Sequence, residues 1–86
     1  MHEFGLAQQI LEIVNKELAS RKVSKVNRIK IKLGKALFIE THCLAEAFNL
    51  ASKGTAVENA KLEISENEGP AQIKVEEIEA ELTDQS

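Results

Sequence analysis

The chain has 86 residues, enough to bury one small core and too few for two. Hydrophobic residues make up 43% and charged residues 29%, which excludes a disordered chain, and a net charge of -3 with three Phe and no Trp or Tyr argues against nucleic-acid binding. No apolar run is long enough to span a bilayer and no signal-peptide order opens the chain, so the cytoplasm is the expected compartment.

Met1, His2 and Glu3 form a compact donor set. A retained initiator with a free amine, the backbone nitrogen of His2 and the His2 imidazole can close adjacent chelate rings on one metal, with Glu3 adding a carboxylate or its amide. Amine and imidazole nitrogens suit Ni(II) and Cu(II), which favour tetragonal nitrogen and oxygen ligation. Retention of Met1 fits the bulky His2 behind it. Read without a metal, the same tripeptide is a frayed terminus.

From Phe4 to about Arg21, Phe4, Ala7, Leu11, Val14 and Leu18 recur at helical spacing, with Leu6, Ile10 and Ile13 widening the same face. Such a helix holds the terminus close to a folded body. After the polar connection 20–25, the period changes to two over Val26 to Leu33. Ile29, Ile31 and Leu33 face one way and Arg28, Lys30 and Lys32 the other, a strand with one buried and one solvated face whose bases can pair with acids on neighbouring strands. Gly34 breaks it, and Ala36, Leu37, Phe38 and Ile39 are expected to pack over the core edge.

A second helix starts at Glu40 or Thr41 and runs to about Lys53, with Cys43 or Leu44, Ala47, Phe48 and Ala51 inward and Gly54 as its stop. Helix neighbours point about 100° apart, so His42 and Cys43 cannot readily chelate one ion, and Cys43 lacks the partners of a nucleophile. It reads as a small core residue. As the only cysteine it excludes an internal disulfide and a C-x-x-C zinc site, so no structural zinc is expected.

Ala60 to Ser65 alternates again, and Asn67 to Pro70 is a turn expected to close a hairpin with the last strand, Gln72 to about Leu82. In that strand Ile73 and Val75 hold one phase and Ile78, Ala80 and Leu82 the other, which predicts a β-bulge at Glu76 and Glu77. The elements predict an α+β fold, a two-layer sandwich with two helices on one face of a three-stranded sheet in the order α-β-α-β-β. Residues 1–82 form one unit, and 83–86 are expected to be a disordered tail. Exposed sheet edges allow a homodimer.

The opening MHEFGLAQQILEIV, the strand to Gly34, the helix with Ala47 and Phe48, Lys53-Gly54-Thr55, the run Glu58 to Ile64 and the closing Gln72 to Glu79 together resemble the HypA family of nickel-insertion accessory proteins for [NiFe] hydrogenase. The resemblance covers most of the chain. It implies a nickel site at Met1, His2 and Glu3, with Glu40 in the place of an acidic residue that joins the site in some members. That residue is more usually Asp, and Glu40 reaches one methylene further. The family's zinc ribbon, with two cysteine pairs, is replaced by the short stretch from Ser65 to Ala71, through natural divergence or engineered deletion. Zinc-linked functions are then absent.

The expected function is a nickel-binding metallochaperone for a [NiFe] hydrogenase or another nickel enzyme, not an enzyme itself. By the resemblance, its partners are a maturation GTPase or a hydrogenase large subunit. The alternative is a metal-independent interaction module on the same fold. A small enzyme is the weaker rival, because the sequence has no nucleophile with its base and no phosphate-cradling glycine loop.

Overall fold

The computed structural model describes residues 3–83. Helix α1 spans Glu3–Leu18, strand β1 Val23–Gly34, helix α2 Thr41–Ala51, strand β2 Lys61–Asn67 and strand β3 Ile73–Leu82, with a short 3-10 turn at Lys35–Leu37. Both helices lie on one face of the sheet, the α+β two-layer order that the periodicity predicts.

The sheet order is β2-β1-β3, with β1 parallel to β2 and antiparallel to β3. This corrects the expected hairpin between the last two strands. A strand followed by a helix and a second strand forms a parallel crossover, so β2 takes one edge of β1. β3 then takes the other edge. Neighbouring strands are about 4.8 Å apart, so β2 and β3 are separated by about 10 Å, a gap that a few extended residues can bridge.

The bridging loop passes directly over the end of β1. Gly34 donates its backbone N–H to Gln72 O at 3.0 Å, and a Cβ at Gly34 would stand 1.6 Å from Pro70 O. Glycine is required here by contact alone, since its φ of -72° suits any residue.

The central position of β1 follows from its inner face. Val26, Ile29, Ile31 and Leu33 are all buried, and Leu6, Ala7, Ile10 and Val14 of α1 with Leu44 and Phe48 of α2 close over them. The buried stripe of α1 runs through Leu6 and Ile10, whereas Phe4, expected inside, is 47% exposed. Val57, in the turns after α2, completes the core, and Val26 N–H bonds Ala56 O at 3.0 Å. Gly54 has the positive φ of 80° that suits the reversal after α2.

The opposite face of the sheet is ionic. Arg28 on the central strand reaches Glu63 of β2 at 3.4 Å and Glu79 and Glu77 of β3 at 3.0 and 3.7 Å, while Lys32 reaches Glu76 at 3.3 Å. The bulge falls where the phase change places it: Lys30 pairs with Glu77 and Ile31 with Val75, leaving Glu76 as the extra residue. It lets the consecutive Glu76 and Glu77 both bind bases of β1, which an unbroken strand would forbid. Thr83, expected in a disordered tail, donates its backbone N–H to Lys22 O at 2.7 Å. The rest of that expected tail, 84–86, lies outside the described residues.

Candidate functional site

The first residues of α1 and α2 meet at one corner. Glu40 is the N-cap of α2, with extended backbone, and its carboxylate accepts the N–H of Cys43. A helix start leaves its first N–H groups without intrahelical partners, and a carboxylate there also meets the favourable end of the helix dipole. Across the corner, Glu40 N–H donates to Glu3 Oε2 over a long 3.5 Å.

This corner is acidic and solvated. The Cys43 amide, aided by the nearby His42, holds the Glu40 carboxyl below the usual carboxylate range, so it is ionised at neutral pH. The cap hydrogen bond is accepted by Oε2. Cys43 is exposed, contrary to its expected place in the core, because Leu44 and Phe48 carry the buried stripe of α2 and Cys43 lies beside it. Its thiol is pushed up by the hydrogen bond with Glu40, then by desolvation and the charges of Glu40, Glu3 and Glu46. A thiol held protonated is a poor nucleophile. His42 Nε2 stands 3.7 Å from Glu46 Oε1, one turn further along α2.

Of the residues expected to bind nickel, Glu3 and Glu40 are in contact, and Met1 and His2 lie outside the described residues. Among the described residues, no group of three His, Cys, Asp or Glu side chains is placed to hold a metal ion. Glu3 and Glu40 place two carboxylates at this corner, oxygen donors of a kind that divalent ions accept. Sequence reasoning missed the capping role of Glu40, although a Glu before Thr-His-Cys was a usable signal. It also missed the exposure of Phe4 and Phe38, which hydropathy alone assigns to the core.

Residues 1–84 match the family described as hydrogenase/urease nickel incorporation, metallochaperone, hypA. A hydrogenase maturation factor HypA from Francisella philomiragia is 36% identical over 83 residues, covering 96% of this chain and 73% of that protein. One from Nostoc sp. is 40% identical over 74 residues, covering 86% of this chain and 63% of its own length. Those from Beijerinckia indica and Legionella pneumophila are likewise matched over 63% of their length, so the chain spans less than two thirds of several relatives. The solution structure of the Ni metallochaperone HypA from Helicobacter pylori superposes with a TM-score of 0.78 at 11% identity, covering 96% of this chain and 100% of that one, a likeness of fold. With a family match along nearly its whole length and relatives above a third identical, the chain belongs to the HypA family.

Proposed function

We propose that the chain carries Ni(II) as cargo at the corner where α1 and α2 begin, and delivers it to a nickel enzyme under maturation. The observation that carries this reading is the contact between Glu3 and Glu40, which brings the first residue of α1 against the α2 cap. Met1 and His2 precede Glu3 directly in the sequence, which is what joins their nitrogen donors to this corner in the reading. The ligand set of this reading is the Met1 amine, the His2 imidazole and backbone nitrogen, and carboxylate oxygen from Glu3, with Glu40 Oε1 as a further donor. Nitrogen and oxygen donors of this kind suit Ni(II).

The chemistry asked of the protein is binding and release. Glu40 is ionised before the metal arrives, so the corner already carries the charge that a cation offsets. A site on the surface lets a partner replace ligands one at a time without opening the core. Partners in this reading are a maturation GTPase or a hydrogenase large subunit. The one cysteine of the chain cannot build a ribbon of two cysteine pairs, so zinc has no part in the reading.

Calorimetric nickel titration tests it. The wild type should bind one nickel per chain, more tightly as pH rises and the nitrogen donors lose protons. His2→Ala should abolish high-affinity binding while its melting temperature stays near that of the wild type. A collapse of the melting temperature would make His2 structural, and unchanged binding would leave the metal-independent module as the better reading.

A further inference from the structure

Two of the three phenylalanines lie outside the core, and each is within two residues in sequence of Glu3 or Glu40, whose contact joins the two helix starts. Phe4 follows Glu3 in the first turn of α1, and Phe38, two residues before Glu40, is 91% exposed. A ring left in water forgoes the transfer free energy that burial would return. Phe38 also occupies left-handed backbone, at φ 54°, where a Cβ crowds the following carbonyl and glycine is the easy occupant. The fold gains nothing from this side chain that glycine would not provide. Yet its base is fixed: Phe38 N–H bonds Lys35 O at 3.0 Å, and the next residue, Ile39, is buried. The ring therefore projects from an ordered backbone, so that only its side-chain torsions remain to be fixed on contact.

The geometry points to Phe38 as the aromatic anchor that docks this chain onto the protein receiving its nickel, a partner with an apolar pocket ringed by Lys or Arg. This rests on the nickel-carrier reading and adds the surface through which the cargo changes hands. Aromatic anchors seated in apolar pockets are the usual energetic centres of protein interfaces.

Charge decides among possible occupants. Glu3 and Glu40 flank the anchor and Glu46 follows in the second turn of α2, while Lys35 is already paired with Glu68 at 2.9 Å. A basic rim complements this corner. A second copy would offer the groove between α1 and β3, about 510 Å³ and lined by Ile13, Leu18, Val75 and Ile78, but there Arg21 is offset by Glu17, and Glu76 and Glu77 are paired with Lys32 and Arg28, so the groove presents no basic excess to the acids of the corner. An anionic lipid surface is disfavoured by repulsion from those same acids.

The purified maturation GTPase and the nickel-free hydrogenase large subunit are titrated with the full chain and with its Phe38→Ala and Phe38→Gly variants. Binding to at least one of the two should weaken by about tenfold or more in both variants. Nickel affinity should stay within about twofold of the wild type, and relief of the left-handed strain should raise the melting temperature of Phe38→Gly by about 4 °C or more. The proposal is overturned by unchanged affinity for both partners, by a wild type that binds neither, or by a melting temperature that falls in Phe38→Gly. Phe38-dependent self-association in sedimentation, or Phe38-dependent binding to phosphatidylglycerol vesicles, overturns it equally. A wild type that binds no nickel, with variants that still lose a partner, would sink the cargo reading and leave the anchor standing.

Discussion

Gly34 and Phe38 are four residues apart and opposite in their physical demands. Gly34 has an ordinary backbone, φ -72°, and no room for a side chain because Pro70 crosses above it. Phe38 has the left-handed backbone in which glycine is easiest, φ 54°, and carries a ring almost wholly in water. The first departure from an average residue serves packing, since it lets the β2 to β3 loop close over the central strand. The second serves nothing inside the molecule. The difference separates the part of the chain that makes the fold from the part available for recognition, and the boundary falls between Gly34 and Glu40.

The largest effect belongs to the packed side. Leu33, next to Gly34 and buried, should cost about 2–5 kcal/mol when cut to alanine, a large share of a small domain's stability and readable by urea denaturation. Gly34→Ala should lose about 1–3 kcal/mol in the same assay, because backbone rather than a flexible side-chain end must give way. Gly5→Ala is its control: nothing lies within 4 Å of that Cβ, and within α1 the change should stabilise by about 0.5–1 kcal/mol. If Gly34→Ala proved as benign as Gly5→Ala, the packed half of the comparison would fail.

Across the boundary, effects should be small and tied to charge. Glu40 has a carboxyl held below its usual range in the folded state, so its contribution is present above the ordinary carboxylate pKa and is lost as pH falls through the depressed folded value. Glu40→Gln should therefore melt below the wild type at pH 7, and the gap should close in acid. A gap that persisted undiminished at low pH would remove charge from the account of the cap. Smallest of all, Cys43 should react with iodoacetamide at pH 8 more slowly than free cysteine, and Glu40→Gln should speed it by removing the main influence that holds the thiol protonated.

The packed half was largely legible in the sequence. Alternation in Ile29, Ile31 and Leu33 located the central strand, and the phase change between Val75 and Ile78 located the bulge, because both follow from which side chains must turn inward. Strand neighbours were not legible in the same way. The short link from Asn67 to Pro70 has hairpin chemistry, and only the parallel crossover through α2, with β1 apolar enough to take strands on both edges, places β1 between β2 and β3. At the corner, family resemblance brought Glu40 into consideration beside Glu3, whereas hydropathy misplaced Phe4, Phe38 and Cys43. Periodicity finds an apolar face but does not say where its covering ends, and the starts of both helices extend past that cover.

The most direct test of the nickel corner compares the chain beginning at Met1 with the same chain carrying one glycine before it, both titrated with nickel and followed by absorption. The extension removes the Met1 amine from its chelate ring and leaves every side chain in place. One nickel per chain with a yellow, square-planar type spectrum that disappears on extension is the predicted result. Equal binding by both proteins would contradict the assignment of nickel to the chain's first residues.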